Sequence, residues 1–106
     1  MRRELIYRNE AVSDLAETKA YTARTWGKTQ ARHYVSSLVQ DINRLKASAL
    51  RHALFDEVFP ALRRKRSGMH HIYYLTFPDR IEVIRIMHVQ RDPGLHLKSE
   101  RWSEPD

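Results

Sequence analysis

The sequence predicts an α+β domain of order β-α-α-β-β-β, in which an antiparallel sheet packs against an antiparallel helical hairpin. Three observations predict it. Residues 69–88, MHHIYYLTFPDRIEVIRIMH, are two β-branched and aromatic runs around Phe77-Pro78-Asp79-Arg80, a good type I turn because Pro fits its second position and Asp its third. Residues 10–45 carry two apolar stripes at helical spacing, parted by Gly27-Lys28-Thr29. Both faces of the 69–88 hairpin are mostly apolar, unlike a surface hairpin with one wet side, which places it in the middle of a sheet covered on both sides.

The elements follow in order. Residues 3–8 read as a short strand with Leu5 and Tyr7 on one face and Ile6 on the other. Asn9 offers a side-chain oxygen as N-cap, and Glu10 and Asp14 complement the dipole of a helix starting there. Ala11, Val12, Leu15, Thr18, Thr22 and Trp26 recur at helical spacing, and Gly27 supplies the stop, so helix one spans about residues 10–26. In helix two, Ala31, Tyr34, Val35, Leu38, Ile42 and Leu45 form the apolar stripe, opposite Arg32, Ser36, Gln40, Asn43 and Lys46. The short link forces the two helices to fold back on each other. Tyr21, Trp26 and Tyr34, at helical spacing, read as core. Residues 48–59 have no clear period, and Pro60 ends any helix before it. Residues 62–68 read as a third strand with a tight turn at Ser67-Gly68. Counting outward from Pro78-Asp79 pairs Thr76 with Ile81, Tyr74 with Val83, Tyr73 with Ile84 and Ile72 with Arg85. His71, Tyr73, Ile84, Ile86 and His88 then share one face, and His70, Ile72, Tyr74, Arg85 and Met87 the other. After His88, Pro93-Gly94 gives a turn, Leu95 and Leu97 can dock, and residues 98–106 read as a frayed tail.

Composition bounds the class. At 106 residues, 42% hydrophobic and 30% charged, the chain is expected to be a single domain over residues 1–106 with one modest core. No stretch approaches the ~20 apolar residues of a membrane span. MRRELIYRNE has no apolar core of signal-peptide length, so the expectation is a cytoplasmic protein without a membrane partner. Without cysteine there is neither a disulfide nor a thiolate metal site. The formal charge of +6 favours polyanions or an acidic protein partner. His70 and His71 are adjacent in a strand and point to opposite faces, and the other histidines are scattered. No metal site, cofactor or catalytic set is therefore expected from the residues themselves.

Particular residues carry a resemblance. Asp14-Leu15, Tyr21-Thr22, Trp26-Gly27, Gln30-Ala31 and Tyr34 fall at the spacing of the helical hairpin in ParE toxins, of the RelE/ParE superfamily of toxin–antitoxin systems. Leu62-Arg63-Arg64, Ser67-Gly68, His70 and Ile72-Tyr73-Tyr74 resemble the following strand pair, residues 81–88 the last strand, and Gln90-Arg91-Asp92 the segment after it. The likeness runs over about residues 3–97 and departs at Ala49 and His52, where the family often has Pro and Gly. It implies a bacterial toxin held inactive in a hetero-oligomer by a ParD-like antitoxin, a ribbon-helix-helix protein with an acidic C-terminal segment. When freed, such a toxin poisons DNA gyrase and blocks replication. RelE-like relatives instead cut mRNA on the ribosome, and a scaffold that only binds its antitoxin is a further alternative; fold alone does not choose.

Candidate contact residues are Arg63, Arg64, Arg66, Arg85, His88 and Trp102. In a strand, Arg64 and Arg66 face one way and Arg63 and Lys65 the other. They make a charged edge that resists aggregation or a docking line for an acidic segment, added as a strand or lying in the groove beside it. No aromatic residues interleave to stack bases, so DNA is reached only through the antitoxin or gyrase. Arg85 interrupts an apolar strand and needs a carboxylate, with Asp56 or Glu57 in view, or solvent. His88 is expected diagonally across from His71, ~7–8 Å away, as a hydrogen-bonded sheet-end residue or a target contact. Trp102 either packs on the sheet or serves as an exposed anchor. Against the RelE-like alternative, Arg63, Arg85 and His88 supply part of a basic cleavage set, but no tyrosine follows His88; Leu95 stands near its place and His96 sits beside a Pro-Gly turn.

Overall fold

The computed structural model describes residues 3–56 and 60–97. In chain order these form β1 (Glu4–Tyr7), α1 (Asn9–Trp26), α2 (Lys28–Asn43), the short α3 (Leu45–Ser48), a 3-10 turn (Ala49–Arg51), β2 (Arg63–Ser67), β3 (His70–Thr76), β4 (Arg80–His88) and the short α4 (Pro93–His96). The four strands make one sheet of order β1-β4-β3-β2. The expected α+β architecture is present. The β2–β3 and β3–β4 pairs are antiparallel, whereas β1 runs parallel to β4, Leu5 beside Ile81 and Tyr7 beside Val83.

The helical hairpin is tighter than its sequence suggests. Asn9 is the first residue of α1 and makes no capping bond; Arg8 precedes the helix in extended geometry. Gly27 alone joins the helices. Its φ of 98° lies where a side chain is strained, and its N–H closes α1 on the Ala23 carbonyl while its own carbonyl accepts from Ala31. Ala31, Leu38, Ile42 and Leu45 are buried as expected.

The core has two layers, one on each side of the sheet. Beneath the helices lie Ala11, Ile42, Leu45, Ile72, Tyr74, Val83 and Ile86. On the far side Leu62, Tyr73, Leu75, Ile84, Met87 and Leu97 pack with Phe55. The hairpin is thus covered on both faces. Burying each large apolar side chain contributes roughly 1.5–3 kcal/mol, and Tyr74 anchors the connection after the helices by donating its hydroxyl to the Ala49 carbonyl at 2.6 Å.

One register expectation fails. Thr76–Ile81 and Tyr74–Val83 pair as counted, but the pairing then shifts, and Tyr73 meets Arg85 while Ile72 meets Ile86. Ile84 is the extra residue of a β-bulge. The insertion moves Ile86 under the helices and Met87 to the far layer. It also pairs His88 with His70 in place of a diagonal approach to His71. Leu95 stays exposed while Leu97 is buried, and Trp102 with the expected tail, 98–106, lies outside the described residues.

Candidate partner-binding surfaces

The charged strand β2 ends one edge of the sheet, and the Leu62–Arg64 end of that edge is already closed. The residues before it turn back so that Phe55 N–H reaches the Leu62 carbonyl at 2.6 Å and Arg64 N–H reaches the Ala53 carbonyl at 3.2 Å. A partner strand is left the Arg66 end of this edge to add to. Arg63 donates to the His52 carbonyl at 2.7 Å, which fastens the connection at the position where the sequence departs from its look-alikes. Arg64 stacks on Phe55, its guanidinium 3.9 Å from the ring centre. Arg66 bonds the Gly68 carbonyl at 2.9 Å. Burial lowers the pKa of His52, helped by Lys65, Arg51 and Arg63, and that of His71, helped by Arg64 and Arg66.

Arg85 is held by a carboxylate, as its setting requires, but the partner is Asp14 of α1 in place of Asp56; Glu57 lies outside the described residues. The guanidinium grips both Asp14 oxygens, at 2.7 and 3.0 Å, and the Ile86 N–H donates to Asp14 at 2.9 Å. This bidentate bond, opposed by burial, raises the Arg85 pKa. The pair ties α1 to β4 one residue past the bulge. Asp14 stands three residues after Ala11 on the buried stripe, and an acid in that position was the available sign of an internal cation partner.

The main concavity, about 1260 Å³ and open to solvent, lies between the helical hairpin and the His70–His88 end of the sheet. Its rim carries Tyr21 and Trp26, 61% and 71% exposed, and Met69, 47% exposed. Helical spacing alone assigned Tyr21 and Trp26 to the core. The structure corrects this: the buried stripe of α1 is Ala11, Asp14, Thr18 and Thr22, and the aromatics sit off it. On the floor, the Tyr34 hydroxyl accepts from the Met69 N–H at 2.9 Å and meets His70 Nδ1 at 2.6 Å. His70 and His88 stack edge-on with ring centres 5.5 Å apart, and His88 Nδ1 accepts from the Gln90 N–H at 3.1 Å. In its neutral form the His88 ring therefore carries the proton on Nε2. Burial, then His88, and further Arg91 and His71, lower the His70 pKa to about 4 against an opposing pull from Asp14. Gly68 packs against Tyr34. Its φ is +58°, and a Cβ there would stand 2.8 Å from the Tyr34 hydroxyl oxygen.

The described residues therefore include the Asp14–Arg85 and Tyr34–His70–His88 assemblies under the helices and an open groove rimmed by exposed aromatics. Of the expected contact residues that are described, the groove takes in His88, while Arg63, Arg64 and Arg66 belong to the β2 edge and Arg85 to the Asp14 pair. No group of three or more metal-ligating side chains is found among the described residues.

The fold is that of toxins from type II toxin–antitoxin systems. The chromosomal ParDE system of P. aeruginosa superposes with a TM-score of 0.76 at 19% identity, over 84% of this chain and 98% of that one. The RelBE2 toxin–antitoxin complex of Mycobacterium tuberculosis gives 0.64 at 13% identity, over 83% and 99%. The DinJ–YafQ toxin–antitoxin complex of E. coli gives 0.56 at 12% identity, over 83% and 93%. Sequence narrows the class. Residues 5–93 match the family model of the ParE toxin of the type II toxin–antitoxin system parDE. Toxin ParE of Escherichia coli is 37% identical over 84 residues, covering 78% of this chain and 82% of that protein. The chain belongs to the ParE toxin family within the RelE/ParE superfamily.

Proposed function

We propose that this chain is a toxin that acts by binding, not by turning over a substrate: freed in the bacterial cytoplasm it poisons DNA gyrase and blocks replication. In the resting cell a ParD-like antitoxin holds it in a hetero-oligomeric complex. The observation that carries the reading is the match to ParE toxins over residues 5–93. The groove suits the antitoxin. Its rim offers Tyr21, Trp26 and Met69 to apolar side chains of an amphipathic segment, and aromatics of this kind dominate protein interfaces. Arg24 and Arg91 line the same groove together with Glu17 and the Arg85-bound Asp14, so it offers ion-pair partners of both signs. DNA enters only through the antitoxin or gyrase.

The test is induction of the chain in a bacterium, with and without the protein encoded beside it. Filamentation and trapped gyrase–DNA cleavage complexes, relieved by co-expression of a short acidic neighbour that co-purifies with the toxin, are expected. Prompt translation arrest with cut mRNA contradicts the gyrase target. Unaffected growth contradicts the toxicity.

A further inference from the structure

The two edges of the sheet are finished differently. The β2 edge is charged and closed at its start by the residues that fold back to Leu62 and Arg64. Among the described residues, none folds back over the β1 edge. Glu4 N–H bonds the Asp79 carbonyl and Arg8 N–H the Val83 carbonyl, so the backbone groups of residues 4, 6 and 8 face β4. Those of Leu5 and Tyr7 face outward, since successive residues alternate. The strand holds no proline or lysine, and its pairing with β4 shows no register shift. Ile6, 41% exposed, stands on it, and Val12, 53% exposed, follows at the start of α1. An open edge with exposed apolar residues is a template for another strand.

We propose that β1 pairs antiparallel with β1 of a second copy of this chain, centred on Ile6, to join two sheets into one continuous sheet. The segment is complementary to itself under that symmetry. Glu4 comes opposite Arg8 of the second copy, Leu5 opposite Tyr7, and Ile6 opposite Ile6. Leu5 and Tyr7 are the residues whose N–H and C=O face outward, so the two Leu5–Tyr7 pairs exchange the hydrogen bonds, and the two Ile6 side chains meet at the closer, non-bonded position. Glu4 is exposed, and Arg8 stays 27% exposed while it holds Glu82. A parallel pairing in register would set Glu4 against Glu4 and Arg8 against Arg8, so charge selects the antiparallel arrangement. Sheet order puts β1 at the opposite edge from β2, and none of its residues lines the aromatic groove. Self-association is thus independent of which partner fills the groove. The contact is short, which places it among weak, concentration-dependent interfaces.

Sedimentation velocity of the full-length toxin, stripped of antitoxin and run from low to high micromolar concentration, tests this. The mass is expected to shift from one chain to two. Ile6→Lys is expected to stay at one chain with an unchanged circular dichroism spectrum, and Glu4→Arg to weaken the dimer at least about threefold. Because a variant can also fail to fold, amide exchange of the unaltered chain provides a second readout: Leu5 and Tyr7 should gain protection as concentration rises. A single-chain mass throughout with both amides unprotected overturns the proposal. So does a dimer indifferent to Ile6→Lys, or protection of these amides only when antitoxin is bound, which would assign the edge to an antitoxin strand.

Discussion

Asp14 shows how much one side chain settles. It neutralises Arg85, caps the Ile86 N–H just past the bulge and joins α1 to β4. Asp14→Ala leaves a largely buried guanidinium without its carboxylate and is expected to cost about 2–4 kcal/mol in urea unfolding at neutral pH; a loss below ~0.5 kcal/mol would show the pair to be ornamental. Gly68 is constrained twice, by its φ and by Tyr34. Gly68→Ala should cost roughly 1–3 kcal/mol, and part of that should vanish when Tyr34→Phe removes the facing oxygen, a coupling that a double-mutant cycle measures. His70 adds a pH dependence. Its folded pKa, about 4, lies below the ordinary 6.5, so between these values the unfolded chain binds the extra proton. Stability is therefore full above pH 6.5, falls as pH drops towards 4 by on the order of 2–3 kcal/mol, and levels below. His70→Gln should flatten that slope; an unchanged slope would assign it to other groups.

At the scale of elements, the two helices, the Phe77–Arg80 turn and the two-sided burial of the hairpin were legible because each depends on local period or turn chemistry. What escaped depends on neighbours distant in sequence. Alternation cannot reveal that Ile84 is an extra residue, so every face assignment beyond it for Ile86, Met87 and His88 was reversed. The β1 direction was hidden for the same reason: which way an edge strand runs depends on where the intervening helices return it. Tyr21 and Trp26 fit helical spacing, but spacing did not distinguish their line from the buried stripe through Asp14 and Thr18. Of the site, the charged β2 edge and His88 were legible, while the Tyr34–His70 contact, across 36 positions, was not. Deleting Ile84 removes the bulge while leaving Ile86 opposite Ile72 and Met87 opposite His71, so the layers persist, but it strips Ile84 from the far layer and straightens the strand beside the Arg85–Asp14 pair. The melting temperature is expected to fall by roughly 10 °C or more, and an unchanged one would mean that the bulge and its buried Ile84 contribute nothing to the fold.

The whole molecule is a small cationic sheet roofed by two helices, with the exposed Tyr21 and Trp26 set at one groove. If that groove is the antitoxin seat, Tyr21→Ala and Trp26→Ala should each weaken antitoxin binding by about 5–30-fold. The melting temperature should barely move, since both side chains are mostly in solvent. Equal affinity, measured by calorimetry, would move the seat elsewhere.

The central claim is that the free toxin stops gyrase by gripping it. The most direct measurement is a titration of purified toxin, freed of antitoxin, into a gyrase supercoiling reaction, alongside a translating extract in which mRNA integrity is followed. Loss of supercoiling with accumulating cleavage complexes and intact mRNA is the predicted result; undisturbed supercoiling with mRNA cut on the ribosome would contradict it.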